Sequence, residues 1–225
     1  MPIFRPQNQC CFLKDTLKHK GLRQQLVALI EEKGIKDERV LAAIASVPRH
    51  LFMDSGFLDH AYQDKAFPIA AEQTISQPYT VAFQTELLKV KKGNKILEIG
   101  TGSGYQAAIL CEMGAKVYSI ERQQELFKKT KTFLPKIGYV PKKLIFGDGY
   151  KGLPEEAPFD GIIVTAGAPY VPKPLLAQLK VGGRLVIPVG ENLQVMTLFI
   201  RKGPKEFEKH EYEGFRFVPL LKGKN

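Results

Sequence analysis

From Lys95 onward, short β-rich runs alternate with segments of helical length, and this alternation restricts the possible folds more than any other feature of the chain. Strands are predicted at Lys95–Ile99, Lys116–Ile120, Leu144–Phe146, Gly161–Thr165 and Arg184–Pro188, with helices at Tyr105–Met113, Gln123–Leu134 and Pro172–Leu179. Strands separated by helices of about ten residues specify an α/β fold with a doubly wound, mostly parallel sheet, whose ligands bind at the carboxyl ends of the strands. Beyond Gly190 the runs Gln194–Arg201 and Glu211–Pro219 have no helix between them and are expected to add an antiparallel edge.

The N-terminal third has a different texture. Leu22, Leu26, Leu29 and Ile30 fall on one helical face that ends at Gly34, and a second helix runs from an Asp37 N-cap through Val40, Leu41 and Ile44 to Pro48. Residues 47–78 are then broken by Pro48, Gly56, Pro68 and Pro78. An irregular stretch of that length inside a compact chain is more often functional than idle. The expected organisation is a helical and active-site-loop extension over 1–79 on a cofactor-binding core over 80–225, forming one compact unit.

At 225 residues and 44% hydrophobic the chain can bury a sizeable core. Its apolar runs fall short of the roughly 20 residues that a spanning helix needs. The N-terminus has no apolar stretch ahead of a cleavage site, and Cys10, Cys11 and Cys111 make neither a disulfide framework nor a metal pattern. A cytoplasmic protein with no membrane partner and no metal is expected. The net charge of +10 is spread as +2 over residues 1–70, +5 over 71–150 and +3 over 151–225. Lys89, Lys91, Lys92 and Lys95 border a Gly-Asn turn and are read as a solvated loop. Without a basic tail or arginine block, no nucleic-acid partner is expected.

Glu98-Ile99-Gly100-Thr101-Gly102-Ser103-Gly104 follows the first predicted core strand and opens a helix. Glycines there allow a sharp turn and a close approach to a ligand, beside the unpaired N–H groups of a helix N-terminus. The dinucleotide fingerprint G-x-G-x-x-G would require glycine at 105, where Tyr105 stands. The spacing G-x-G-x-G therefore favours a turn around a smaller group than a pyrophosphate. Glu121 ends the second strand, where a carboxylate can accept both hydroxyls of a ribose, a group shared by NAD and S-adenosylmethionine. Asp148, in Gly147-Asp148-Gly149, ends the third strand and could accept from an adenine amino group. Each carboxylate alone could equally be a helix cap or a solvated loop charge; their combination with the loop carries the argument.

The blocks EIGTGSGY, IE, GDG, FDGIIVTAGAP and LKVGGRLVIPVG resemble the class I S-adenosylmethionine-dependent methyltransferases. Within that superfamily, Gln73-Thr74-Ile75-Ser76-Gln77-Pro78-Tyr79, with AYQDKAFPI, VPRHLF and RFVPL, resembles the protein-L-isoaspartate O-methyltransferases over roughly residues 20–222. The resemblance implies a Rossmann-like methyltransferase fold and S-adenosyl-L-methionine as cofactor. It implies repair of isoaspartyl-containing proteins and peptides by a monomeric enzyme. It assigns the active-site role to Ser76, cofactor contacts to Thr74, Ile75, Gly100, Thr101, Gly102, Ser103, Gly104, Glu121, Asp148 and Gly149, and substrate-side positions to Gln77, Pro78, Val218 and Pro219. Ala70-Ala71-Glu72 departs from the glycine-rich text of many members.

The chemistry agrees with the composition of these blocks. A carboxylate acceptor with an unperturbed pKa of about 3.9 is ionised at pH 7 and needs no general base. None of His19, His50, His60 and His210 lies in the glycine or TISQP blocks, so each is read as structural or solvated. Ser76 is read as orienting the acceptor, with capping of a helix over Thr80–Leu88 as the alternative. Residues 165–170 read TAGAPY, without the acid and doubled proline of many base-amino methylating enzymes, and no Pro-Cys is present for cytosine C5 methylation. An NAD-dependent dehydrogenase and a non-catalytic adenosine-binding module remain open at this stage. Residues 47–79 and Phe215–Pro219 are expected to flank an extended peptide over the cleft.

Overall fold

In the computed structural model, residues 14–225 are described; Cys10 and Cys11 lie outside them. Helices α1 (Leu17–Glu32) and α2 (Glu38–Ser46) come first, and Asp37 caps α2 as expected, its side chain accepting from the Arg39 amide at 3.0 Å. After two short 3-10 turns come β1 (Phe67–Pro68), β2 (Thr74–Ile75) and α3 (Pro78–Leu88). The main sheet then begins, with β3 (Lys95–Ile99), α4 (Tyr105–Glu112), β4 (Lys116–Glu121), α5 (Gln124–Lys136) and β5 (Lys143–Phe146). It closes with β6 (Phe159–Val164), α6 (Lys173–Ala177), β7 (Leu179–Val189), β8 (Gln194–Arg201) and β9 (Phe207–Phe215).

The seven strands are ordered β5-β4-β3-β6-β7-β8-β9, parallel from β5 to β7 and antiparallel beyond. β3 is flanked by β4 on one side and β6 on the other, so the connections leaving β3 and β6 diverge. That divergence opens a crevice at the carboxyl end of β3, the switch point where doubly wound sheets bind ligands. Helices cover both faces, which is why β3 is a near-continuous apolar run with Ile96, Leu97 and Ile99 all at most 1% exposed. Alternation sorts its side chains between two cores. Ile96 packs with Leu26, Ile30, Ile44 and Ile109, whereas Leu97 and Ile99 pack with Ile162, Leu175 and Ile187. The first core joins α1 and α2 to the sheet, continuously across position 79.

Two predicted strands differ in extent from those observed, and one strand pair was not predicted. β9 ends at Phe215 rather than Pro219, because the ladder with β8 shifts register between Gln194 and Met196, opposite a positive φ of 92° at Gly214. The chain past it turns to the loop after β6, where the Gly167 amide donates to Val218 O at 2.8 Å and the Leu220 amide to Gly167 O at 2.7 Å. β7 begins at Leu179, five residues before the expected Arg184, across a register irregularity against Phe159 and Gly161. The β1–β2 pair, in register Phe67↔Ile75 and Pro68↔Thr74, is absent from the sequence reading. Two-residue strands leave no periodicity to detect. Among the described residues no helix is long and apolar enough to cross a membrane.

Candidate active site

The turn after β3 takes its shape from glycine. Gly100, Gly102 and Gly104 have φ of 95°, 53° and 87°, a region that side chains disfavour. Gly100 also has no room for a side chain. A Cβ there would stand 2.6 Å from Thr165 Oγ1, which is itself locked by donating to Ile99 O at 3.0 Å and Gly100 O at 2.7 Å. Gly104 is the N-cap of α4, and a Cβ on it would meet Thr130 Cγ2 at 2.8 Å. Its close approach is therefore to α5.

The turn lines a cleft open to solvent. Of the residues singled out from sequence, Thr74, Ile75, Ser76, Gly100, Thr101, Gly102, Ser103, Glu121, Gly149, Val218 and Pro219 line it. Gly104, Asp148, Gln77 and Pro78 do not. Sequence reasoning overlooked Gln73, Tyr105, Gln106, Thr165 and Leu220, which also line it. Gln106 had a positional signal, being the second residue of the helix that the glycine turn opens. Its Nε2 donates to Thr85 Oγ1 at 3.0 Å while its buried Oε1 has no partner among the described residues.

Glu121 ends β4 with 4% of its surface exposed. Its Oε2 accepts from the Gly102 amide at 2.8 Å and its Oε1 from the Gln123 amide at 2.8 Å. The same carboxylate thus fixes the glycine turn and faces the cleft. Asp148 is engaged elsewhere. Its Oδ1 accepts from the Tyr150 amide at 3.0 Å, capping a short 3-10 turn, and its Oδ2 from the Gly223 amide at 3.0 Å. The cap that Asp148 could form is present.

Ser76 lines the same cleft, between β2 and α3. The N-cap of α3 is Gln77, with Pro78 at N1 and no side-chain capping bond, so Ser76 is not the cap of this helix. Among the lining residues the titratable ones are Tyr105, Glu121 and Arg122. No histidine lines the cleft. His50 is buried with Nδ1 2.7 Å from Tyr62 Oη, and burial pulls it down to about 4. His19 completes the capping box of α1, and His210 pairs with Glu208 at 2.6 Å.

Beneath the turn, Thr101 Oγ1 and Ser119 Oγ share a hydrogen bond of 2.6 Å, and Ser119 Oγ donates to Glu98 Oε2. Glu98 is fully buried, and burial, reinforced by the nearby Glu121 charge and opposed by Ser119, pushes its carboxyl up to about 8. Between its ordinary pKa of 4.5 and about 8 the folded protein therefore binds more protons at this site than the unfolded chain. Stability from this group is fully present at the acid end of that window and is lost as pH rises through it. Glu98→Gln is expected to flatten that fall, giving a higher melting temperature than the parent at pH 8 and a smaller difference at pH 5. Equal pH slopes in thermal melts of the two proteins would refute this.

The family model for protein-L-isoaspartate(D-aspartate) O-methyltransferase matches residues 21–225. A protein-L-isoaspartate O-methyltransferase of Christiangramia forsetii is 73% identical over 213 residues, covering 95% of this chain and 100% of the relative. A solved protein-L-isoaspartate O-methyltransferase superposes with TM-score 0.79 at 31% identity, covering 88% of this chain and 65% of that one. A Plasmodium falciparum β-aspartate methyltransferase in complex with S-adenosyl-L-homocysteine superposes with TM-score 0.76 at 26% identity, covering 89% and 99%. With its sheet order, its glycine turn and its cleft between β3 and the TISQP segment, the chain belongs to the protein-L-isoaspartate(D-aspartate) O-methyltransferase family.

Proposed function

We propose that the cleft holds S-adenosylmethionine between the glycine turn and Glu121, and that Ser76 orients an isoaspartyl carboxylate in the same cleft. The enzyme is a protein repair methyltransferase that methylates the free α-carboxylate of L-isoaspartyl residues. The single observation carrying the assignment of roles is that Ser76 and the glycine turn line one cleft, although 24 positions separate Ser76 from Gly100.

The donor set suits the cofactor. The Gly100–Ser103 turn lines the cleft beside the N-terminus of α4, and Glu121 supplies a buried acceptor for the ribose. S-adenosylmethionine, when bound, supplies a methyl group already activated on a sulfonium. The protein's own task is then positioning and exclusion of water rather than proton transfer. This fits a cleft lined, among the described residues, by one carboxylate, one guanidinium and one phenol and by no histidine. Ser76, with no base beside it, serves as a hydrogen-bond donor and not as a covalent nucleophile. In this reading the 1–79 extension brings the acceptor side and the 80–225 core brings the cofactor side. Val218 and Pro219, carried to the cleft by the Gly167 bridge, flank the peptide.

The product methyl ester is a better electrophile than the carboxylate: the following backbone nitrogen attacks its carbonyl and loses its proton, methanol leaves, and hydrolysis of the resulting succinimide returns part of it as aspartyl. An isoaspartyl carboxylate sits on a shorter branch than an aspartyl one, and a misplacement of about 1 Å can cost roughly a hundredfold in rate. Base-labile methyl esters are therefore expected on isoaspartyl peptides of varied sequence and almost none on aspartyl controls. Comparable labelling of both isomers in a radiolabelled methyl-transfer assay, or base-stable label on lysine, overturns the proposal.

A further inference from the structure

We infer that Asp64 is the positioning residue that sets the Ser76 hydroxyl over the cleft, acting through Gln77 and the first turn of α3; the inference rests on the role given to Ser76 above. The Asp64 side chain is 4% exposed. Its Oδ1 accepts from the Tyr79 amide at 2.8 Å, and its Oδ2 accepts from Gln77 Nε2 at 3.0 Å and from Lys33 Nζ at 2.6 Å. One carboxylate thus ties the residue after Ser76, and an amide of the opening turn of α3, to the C-terminal end of α1. The Tyr79 amide is one of the helix N-terminal donors that lack an intrahelical partner, and a negative charge is favourable at that end of a helix. Lys33, which also lies 5.7 Å from the centre of the Tyr79 ring, compensates the buried charge.

On the other side of Ser76 the backbone is held by the β1–β2 pairing, Phe67↔Ile75, and by the Ile69 amide donating to Gln73 O at 2.8 Å. Ser76 is therefore the one residue between two fixed points. The segment carrying Asp64 is anchored to the cleft as well. Fully buried Arg49 donates from Nη2 to Lys65 O at 3.2 Å and lies 4.9 Å over the ring of Tyr105, a cleft-lining residue. The Gln77 side chain, assigned to the substrate side by resemblance, is directed at Asp64, which makes it part of this brace.

Asp64→Asn keeps the shape of the side chain but sets an amide NH₂ or an uncharged oxygen against the donors of Gln77 and Lys33. It is expected to lower kcat for an isoaspartyl peptide by about tenfold to a hundredfold, the cost of misplacing a reacting group by a fraction of about 1 Å to 1 Å. Affinity for S-adenosylhomocysteine, measured by calorimetry, is expected to stay within about twofold, as for sites without shared partners. The deciding measurement is a double-mutant cycle. In a Ser76→Ala background, Asp64→Asn should change kcat by no more than about twofold, because the group that it positions is gone. Gln77→Met, which removes only the side-chain brace, provides a second cycle if the Asp64 variant does not fold. It should lower kcat by a smaller factor that also vanishes in the Ser76→Ala background. Additive losses in these cycles, wild-type kcat in the single variants, or a matching loss of S-adenosylhomocysteine affinity would overturn the inference while leaving the role of Ser76 intact. Wild-type kcat in Ser76→Ala alone would overturn both.

Discussion

Glu121→Ala is expected to weaken S-adenosylmethionine binding by about 3–6 kcal/mol, or roughly a hundredfold or more, as two charge-assisted hydrogen bonds to the ribose are lost. The geometry adds a second contribution to the loss. Glu121 Oε2 also accepts from the Gly102 amide, so its removal releases the glycine turn that forms the cofactor wall. Glu121→Gln separates the two effects, since an amide oxygen can still accept from one donor but carries no charge, and it should fall between the parent and the alanine variant. Calorimetry that finds unchanged cofactor affinity in a folded Glu121→Ala protein rejects the assignment.

Ser76→Ala is expected to lower kcat by about tenfold to a hundredfold while cofactor affinity stays close to that of the parent, the pattern of an interaction made in the transition state. Because Gln77 and not Ser76 occupies the N-cap of α3, stability should change by no more than about 0.5 kcal/mol, as for substitutions away from special features. Denaturant melts run alongside the kinetics check both parts. A folded variant with full turnover on isoaspartyl peptide removes Ser76 from the reaction.

The two carboxylates picked out from sequence fared differently in the structure, and the difference is instructive. Both were placed by the same argument, a carboxylate at the carboxyl end of a strand. For Glu121 this is sufficient, because β4 pairs directly with β3 and its end must lie beside the turn at Gly100. Asp148 lies past the end of β5, at the sheet's edge and outside the cleft lining, and its two oxygens accept from two amides. One of those amides, Gly223, is 75 positions away and unforeseeable from local pattern. Asp64 illustrates the same limit more strongly. Its partners lie at the end of α1 and the start of α3, so nothing in the text AYQDKAFPI states what its carboxylate holds.

The parallel sheet, its antiparallel edge and the turn that opens α4 were legible in the order of the residues, because each follows from local rules. Apolar runs buried on both faces must be strands, helices between them make the strands parallel, and glycine is needed where φ is positive. The TISQP block was legible as a resemblance. What only the tertiary structure decided is which groups share a cleft and which way their hydrogen bonds run. Ser76 shares a cleft with the glycine turn because α1 and α2 bury their apolar faces in the same core as β3 and α4, and Val218 lines it because the chain leaves the sheet after Phe215 and bridges to Gly167. Those placements depend on burial and hydrogen bonding between residues tens of positions apart, and such contacts leave no periodic trace along the chain.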